Sequence, residues 1–387
     1  MGEINSDSVF VEDGFGEVVD VFRSHLKDGL EVGASVVAYV GDKKVVDIAA
    51  GYRDIARSQP YTSSTPVVVF SSTKGITAIA IHIAISQGLI SYETPIAEVW
   101  PFFAQGGKGS IMLGDTLSHR SGVAIVDNDF LTLPDVQGWD LVIEALERQV
   151  PIWEPGSRHG YHLRTFGWIH GEVLRRLYNR DVPSIFNQLI AVPLGVELDL
   201  SWSQKLDGSI AEIVTDPPSV DVEAQIDLER EAGLSQYSIS AIHGPGRLFA
   251  YDQRWNEVGY RSLAMPSSSA MISAETLASI YKGVVSGHNG IKLLSDEIIK
   301  EAIRERSRGV DEILGRETAF GMGFALAPMI GESLPPSAFG HPGAGGSLGF
   351  GDLEAEVSFG YTMNKMASAL INDQRSNELA AALYRCL

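Results

Sequence analysis

The amino-acid sequence predicts an α+β fold: an antiparallel sheet flanked by helices, with a mostly helical region inserted into it. Three observations carry this. Strand-like runs occur near both ends of the chain, and the first two are joined by a tight turn. The stretch between them, roughly 89–316, mixes helical patterns with long loops. At 387 residues the chain exceeds what one core comfortably organises, so two packed regions are expected. The expected division puts residues 1–70 and 317–387 together in a sheet domain and 71–316 in a mostly helical one.

Taken in order, Phe15, Val19, Phe22 and Leu26 share one helical face, with Gly29 as the stop. Ala34 to Val40, a Gly41-Asp42 turn and Lys44 to Ala49 then read as a β-hairpin. Val67 to Phe70 is a short apolar run. The segment after it carries two patterns. Ile79, Ile81, Ile83 and Ile85 alternate as in a strand, but Ser72 to Gln87 is long, alanine-rich and closed by Gly88, which favours a buried helix. Leu141–Gln149 and Thr165–Tyr178 read as helices, and Ile169, Val173 and Leu177 share a face of the second. Pro217-Pro218 and Pro266 to Ser269 are loop signals. Ala319–Ala327, Ser347–Gly351 and Glu356–Asn364 read as strands, and a helix over Ser376–Arg385 closes the chain.

Composition narrows the function classes. Thirty basic against 49 acidic residues leave a formal net charge of −19. A field of that sign repels phosphate backbones and anionic lipid, so nucleic acid and membranes are not expected partners. The single cysteine, Cys386, excludes an intrachain disulfide. The first residues show no basic start followed by an apolar run, so a cytoplasmic location is expected. No H-E-x-x-H, phosphate loop or dinucleotide fingerprint is present, and no metal or cofactor is expected.

The chemistry begins with S-x-x-K, which occurs three times: Ser24 with Lys27, Ser71 with Lys74, and Ser279 with Lys282. On a helix, i and i+3 are neighbours, so hydroxyl and amine share a face. Ser24 and Ser279 fall inside amphipathic patterns, where solvated residues are the better reading. Only Ser71 stands between a strand-like run and a buried helix. There the unpaired amides and positive dipole of a helix N-terminus suit an oxygen that becomes negative. A lysine made neutral by burial can take the proton of that serine.

Two further segments complete the candidate. In Trp153 to Leu163, a Pro155-Gly156 turn precedes Tyr161, a phenol able to relay protons or simply to pack. In His341-Pro342-Gly343-Ala344-Gly345-Gly346-Ser347, glycines allow close approach of substrate to backbone amides, or form a plain hairpin. Gly345 to Gly349 is also a formal G-x-S-x-G. That motif needs a helix after its serine, whereas Leu348 onward alternates like a strand, so Ser347 is rejected as nucleophile.

These residues together resemble the penicillin-recognising serine hydrolases, and most closely the class C β-lactamase-like, family VIII-type carboxylesterases. The likeness rests on Val69-Phe70-Ser71-Ser72-Thr73-Lys74-Gly75, on Leu117-Ser118-His119-Arg120-Ser121-Gly122, on Tyr161-His162 with Gly167-Trp168 and Gly171-Glu172, and on Phe339 to Gly343 with Gly345 to Ser347. The resemblance implies a β-lactamase/penicillin-binding-protein-like fold, Ser71 as nucleophile, Lys74 as its base and Tyr161 as proton relay. The amides of Ser71 and Ala344 would form the oxyanion hole. His162, His341, Gly343, Gly345 and Trp153 would contact substrate. Leu163 stands where β-lactamases have asparagine, and His341 where they have the lysine of K-T-G, which lowers the expectation of β-lactamase or D-peptidase activity. The expected function is hydrolysis of small or medium carboxylic esters without a cofactor. Acyl transfer from the same acyl-enzyme, weak β-lactamase or D-peptidase activity, and non-catalytic ligand binding are the alternatives.

Overall fold

The structure is a computed structural model that describes residues 9–367 and 371–387; the N-terminal octet read above for a secretory signal lies outside them. The chain opens on a short strand, β1 (Val9–Val11), before α1 (Gly16–Lys27), so the expected order of helix then hairpin gains an edge strand. The hairpin β2 (Gly33–Val40) and β3 (Lys43–Gly51) follows. Next come β4 (Val67–Val68) and α2 (Ser72–Ser86), which settles the ambiguous isoleucine run as a helix. Its residues from Ser72 to Ala84 are buried on every side, which is why no polar face marks it in the sequence. Gly88, at φ +71°, ends it.

The middle of the chain contributes a run of helices and one small ladder in which β5 (Met271–Ile272) pairs with β4. The remaining strands are β6 (Ser307–Val310), β7 (Glu317–Phe320), β8 (Ala325–Leu326), β9 (Ala338–Pro342), β10 (Leu348–Asp352) and β11 (Val357–Met363). The single strand expected over 319–327 is thus two, separated by a turn in which the Gly321 amide bonds the Phe324 carbonyl. β9 has no alternation because both its faces are buried.

Among the described residues, nine strands form one antiparallel sheet in the order β1-β3-β2-β11-β10-β9-β8-β7-β6. The N-terminal hairpin therefore docks on the C-terminal strand, with Ala38 opposite Phe359 and Val36 opposite Tyr361. One face of the sheet packs on α1 and the C-terminal helix Gln374–Arg385 through Phe22, Phe359 and Leu383. Burying each such side chain contributes about 1.5–3 kcal/mol. The other face carries glycines and small residues, against which the helix Ala274–Val285 lies. A Cβ on Gly360 would stand 2.3 Å from the Ala274 carbonyl oxygen, so this helix can sit so close only because the strand lacks one.

That contact corrects one sequence reading. Ser279 and Lys282 lie on this helix and are buried, not solvated; the Lys282 amine reaches the Asp42 carboxylate at 2.9 Å. Ser24 is exposed, as read. Both this helix and β6 belong with the sheet although they fall within 71–316. Among the described residues no helix is long and apolar enough to cross a membrane.

Candidate active site

The backbone turns sharply between β4 and α2. Phe70 adopts φ +45°, a left-handed conformation that is costly for a bulky residue and is found where a structure over-determines it. Here the Phe70 ring is wedged edge-on between Tyr251 and Trp255, at 5.5 and 5.2 Å. The turn delivers Ser71 to the cap of α2, 6% exposed, with Lys74 one turn further and fully buried.

The Lys74 amine donates to the Ser71 hydroxyl at 3.1 Å and to the Ser267 carbonyl at 3.0 Å, and lies 4.8 Å from the centre of the Tyr161 ring. None of these partners is a carboxylate. Burial, and after it the charge of Arg164, push the amine well below the usual lysine range. Lys74 is therefore set up to accept a proton.

Tyr161 lies on the loop before the helix Thr165–Tyr178. Its amide donates to Asp311 at 3.0 Å and its ring stacks on Phe320 with 5.9 Å between centroids. Burial raises the phenol well above its ordinary value, while the neighbouring Ser71 hydroxyl draws it back. The Tyr161 hydroxyl is 3.3 Å from Nε2 of His341. His341 Nδ1 is 2.7 Å from the Pro342 carbonyl and must donate to it, and burial holds the ring neutral, with its pKa lowered to about 3. Nε2 is then an acceptor, and the phenol points its proton at it.

The β9–β10 turn packs against Val69 and Ser72, on either side of Phe70 and Ser71. The amides of Ser71 and Ala344 have no backbone acceptor among the described residues, as an oxyanion-binding pair requires. Ser347 holds this turn in place: its hydroxyl donates to the Val69 carbonyl at 2.8 Å and lies 3.1 Å from the Ser72 hydroxyl. It is a buried strut between the turn and the nucleophile segment.

Three of the residues expected to touch substrate make close contacts within the fold. His162 is fully buried, with Nε2 2.7 Å from the Ser121 hydroxyl and Nδ1 2.7 Å from the Gly160 carbonyl, so both nitrogens are already used within the fold. At Gly343 a Cβ would fall 2.2 Å from the Val69 carbonyl oxygen; the glycine lets backbone meet backbone there. Trp153 is half-buried, donates to the Arg120 carbonyl and packs on Gly160. Gly345 lines the cleft. That cleft, of about 590 Å³, runs from Ala344 and Gly345 past Tyr251, Ile242 and Met366 to Leu228 on the helix Val222–Glu231. A separate cleft of about 670 Å³ lies around Trp139, Arg175 and Arg180; Ser71, Lys74 and Tyr161 line neither of these two clefts.

Sequence reasoning missed Arg164, Ser267, Tyr251 and Asp311. Ser267 sits in the stretch read only as a loop, and Arg164 is three residues past Tyr161 on the same loop; nothing in the spacing marks either. His119 was noticed only within a motif. It is fully buried, with its ring edge-on to Tyr161 at 5.2 Å and its Nε2 unpartnered.

Known proteins are similar to this chain over nearly its whole length. A family model described as Beta-lactamase matches residues 19–383. Esterase/beta-lactamase LipL of Mycobacterium tuberculosis (strain ATCC 25618 / H37Rv) is 29% identical over 364 residues, covering 92% of this chain and 82% of that protein. Among solved structures, a family VIII carboxylesterase superposes with a TM-score of 0.88 at 30% identity, with 100% of each chain covered. A penicillin-binding protein homolog from Caulobacter crescentus does so at 0.84 and 30%, again with 100% of each chain covered. With a family model spanning nearly the whole chain and this fold beneath it, the chain belongs to the beta-lactamase family.

Proposed function

We propose that the chain is a serine hydrolase that cleaves carboxylic esters of small or medium acyl groups through an acyl-enzyme on Ser71. The observation that carries this is the 3.1 Å contact between the Ser71 hydroxyl and a buried amine with no carboxylate partner. The names of two relatives, an esterase/beta-lactamase and a family VIII carboxylesterase, favour the same chemistry.

In this cycle the ester carbonyl oxygen takes the place between the amides of Ser71 and Ala344. Ser71 Oγ attacks the carbonyl carbon as its proton passes to Lys74. The tetrahedral oxyanion collapses, the bond to the alkoxy oxygen breaks, and the Tyr161 phenol protonates the departing alkoxide, which leaves as the alcohol, and is refilled from the Lys74 ammonium. A water then attacks the acyl carbon, gives its proton to Lys74, and the acid leaves as Ser71 regains a proton. Each amide of the hole supplies about 3 kcal/mol of transition-state stabilisation. The apolar cleft wall of Leu228, Ile242 and Met366 receives the acyl chain. The substrate is a small-molecule ester met in the cytoplasm.

Two positions disfavour β-lactam and D-peptide substrates: buried Leu163 and neutral His341 offer no cation or amide to a substrate carboxylate. p-Nitrophenyl acetate tests the proposal. The wild-type protein should release a burst of p-nitrophenol stoichiometric with enzyme, and Ser71→Ala none. A binding protein without chemistry would give no burst in either. Adding a primary alcohol acceptor separates hydrolysis from acyl transfer by the ratio of acid to new ester.

A further inference from the structure

The β9–β10 turn, which carries Ala344, is also held by a buried ion cluster that the cycle above does not use. Arg375, in the first turn of the C-terminal helix Gln374–Arg385, is 4% exposed. Its Nε donates to one oxygen of Asp373 at 3.0 Å and its Nη2 to the other at 3.0 Å, a bidentate pair. Nη1 donates to the Glu31 carboxylate at 3.1 Å and to the carbonyls of Leu30 at 3.1 Å and Lys365 at 2.9 Å. The other donor of Nη2 goes to the Gly345 carbonyl, 30 residues back in the chain. The turn fits closely around that guanidinium: a Cβ on Gly346, at φ +130°, would stand 2.6 Å from Nη2. Glu31 and Asp373 compensate the charge, so what the planar fork supplies to the turn is direction.

Two peptide planes carry that direction to the Ala344 amide. The Gly345 carbonyl shares its plane with the Gly346 N–H, which donates to the Gly343 carbonyl at 3.1 Å. The Gly343 carbonyl shares its plane with the Ala344 N–H. Because each unit is planar, fixing its oxygen fixes its N–H. Arg375 holds the first oxygen and the Gly346 amide holds the second. Gly345, at φ +81°, and Gly346 bring no side chains that could hold the turn from within, so its shape depends on outside partners. The Ala367 amide also reaches the Gly345 carbonyl, at 3.1 Å, and it follows Lys365, whose carbonyl Arg375 itself holds.

We propose that Arg375 is a positioning residue for the oxyanion hole: its guanidinium fixes the Gly345 carbonyl and, through the Gly345–Gly346 and Gly343–Ala344 peptide planes, aims the Ala344 amide at the substrate carbonyl oxygen. The proposal rests on the acyl-enzyme reading above, in which Ala344 is one of the two donors.

The test compares Arg375→Lys, which keeps a cation between Glu31 and Asp373 but lacks the planar fork, with Glu378→Gln. The latter lies on the same helix and loses only the 2.7 Å contact to His25. Hydrolysis of p-nitrophenyl butyrate, inhibition by butylboronic acid and Tm are measured for each. Ser71 Oγ adds to the boron as its proton passes to Lys74, and one oxygen of the resulting tetrahedral anion takes the place of the oxyanion. Arg375→Lys should lower kcat about 10- to 100-fold and weaken the boronic acid by a similar factor, with KM within about threefold of wild type. Glu378→Gln should lower Tm and leave kcat and the boronic-acid affinity unchanged. If Arg375→Lys does not fold, the triple variant Glu31→Gln/Asp373→Asn/Arg375→Gln, which leaves no charge of this cluster unpaired, takes its place with the same expectation. A folded Arg375 variant with wild-type kcat and boronic-acid affinity, or with a loss confined to KM, overturns the proposal and leaves Arg375 an anchor of the helix. If the wild-type protein neither hydrolyses the ester nor binds the boronic acid, it is the acyl-enzyme reading that fails.

Discussion

The hydroxyl of Ser347 donates to the carbonyl of Val69 at 2.8 Å, joining two segments 278 residues apart in the chain. Through that bond the turn that carries Ala344 is registered against the segment that carries Ser71. A serine in a G-x-S-x-G is here a strut between the two segments that the proposed oxyanion hole draws on.

Ser347→Ala should therefore leave the nucleophile intact but loosen the hole. The buried Val69 carbonyl and Ser72 hydroxyl each lose a partner, which costs about 1–3 kcal/mol of stability. We expect a lower Tm by thermal denaturation and a kcat reduced about tenfold or more, with the acyl-enzyme burst still present. Loss of all labelling in this variant with the fold intact would make Ser347 the nucleophile.

Lys74 is predicted to trade stability for activity. Its folded pKa lies below the unfolded value, so between those two pH values the unfolded chain binds more protons and stability rises with pH. Below the folded pKa the full cost of burying a charge is present; above the unfolded value it is gone. Lys74→Met removes this cost at neutral pH. It should abolish acylation while raising Tm by about 2–4 °C, and it should flatten the dependence of Tm on pH on the alkaline side. Denaturation scans from neutral pH upward check both.

Tyr161→Phe keeps the ring that stacks on Phe320 and loses only the hydroxyl facing His341. Stability should change by about 1 kcal/mol or less. The acylation rate with p-nitrophenyl esters should fall about 10²–10⁴-fold, the range for loss of a positioned proton-transfer group. Esters with poorer leaving alcohols should suffer more, since they depend on the proton that Tyr161 supplies. A uniform loss across leaving groups would assign the phenol a packing role.

These relationships were unevenly legible in the sequence. The α2 assignment could be made because length and a terminal glycine outweighed the alternation of Ile79 to Ile85. Ser71, Lys74 and Tyr161 could be picked out because short motifs carry them, and the structure places their side chains together. β9, buried on both faces, has no period-two signature, and only the family likeness over Phe339 to Gly343 pointed to a strand there. The internal contacts of His162 and Gly343 were not legible either: a motif position says that a residue is constrained, and the structure shows packing within the fold as one such constraint. Ser267 offers a backbone carbonyl, to which its side-chain identity is irrelevant. Nothing in the sequence marks Arg164, because its burial depends on Phe249 and Tyr251, far along the chain.

The central claim is that Ser71 carries the acyl group. The most direct measurement is intact-protein mass spectrometry on samples acid-quenched during turnover of p-nitrophenyl butyrate, followed by peptide mapping. The account predicts a mass gain of one butyryl group, mapped to Ser71 and absent from Ser71→Ala. A butyryl group mapped to Ser347, or one that persists in Ser71→Ala with turnover intact, would contradict it.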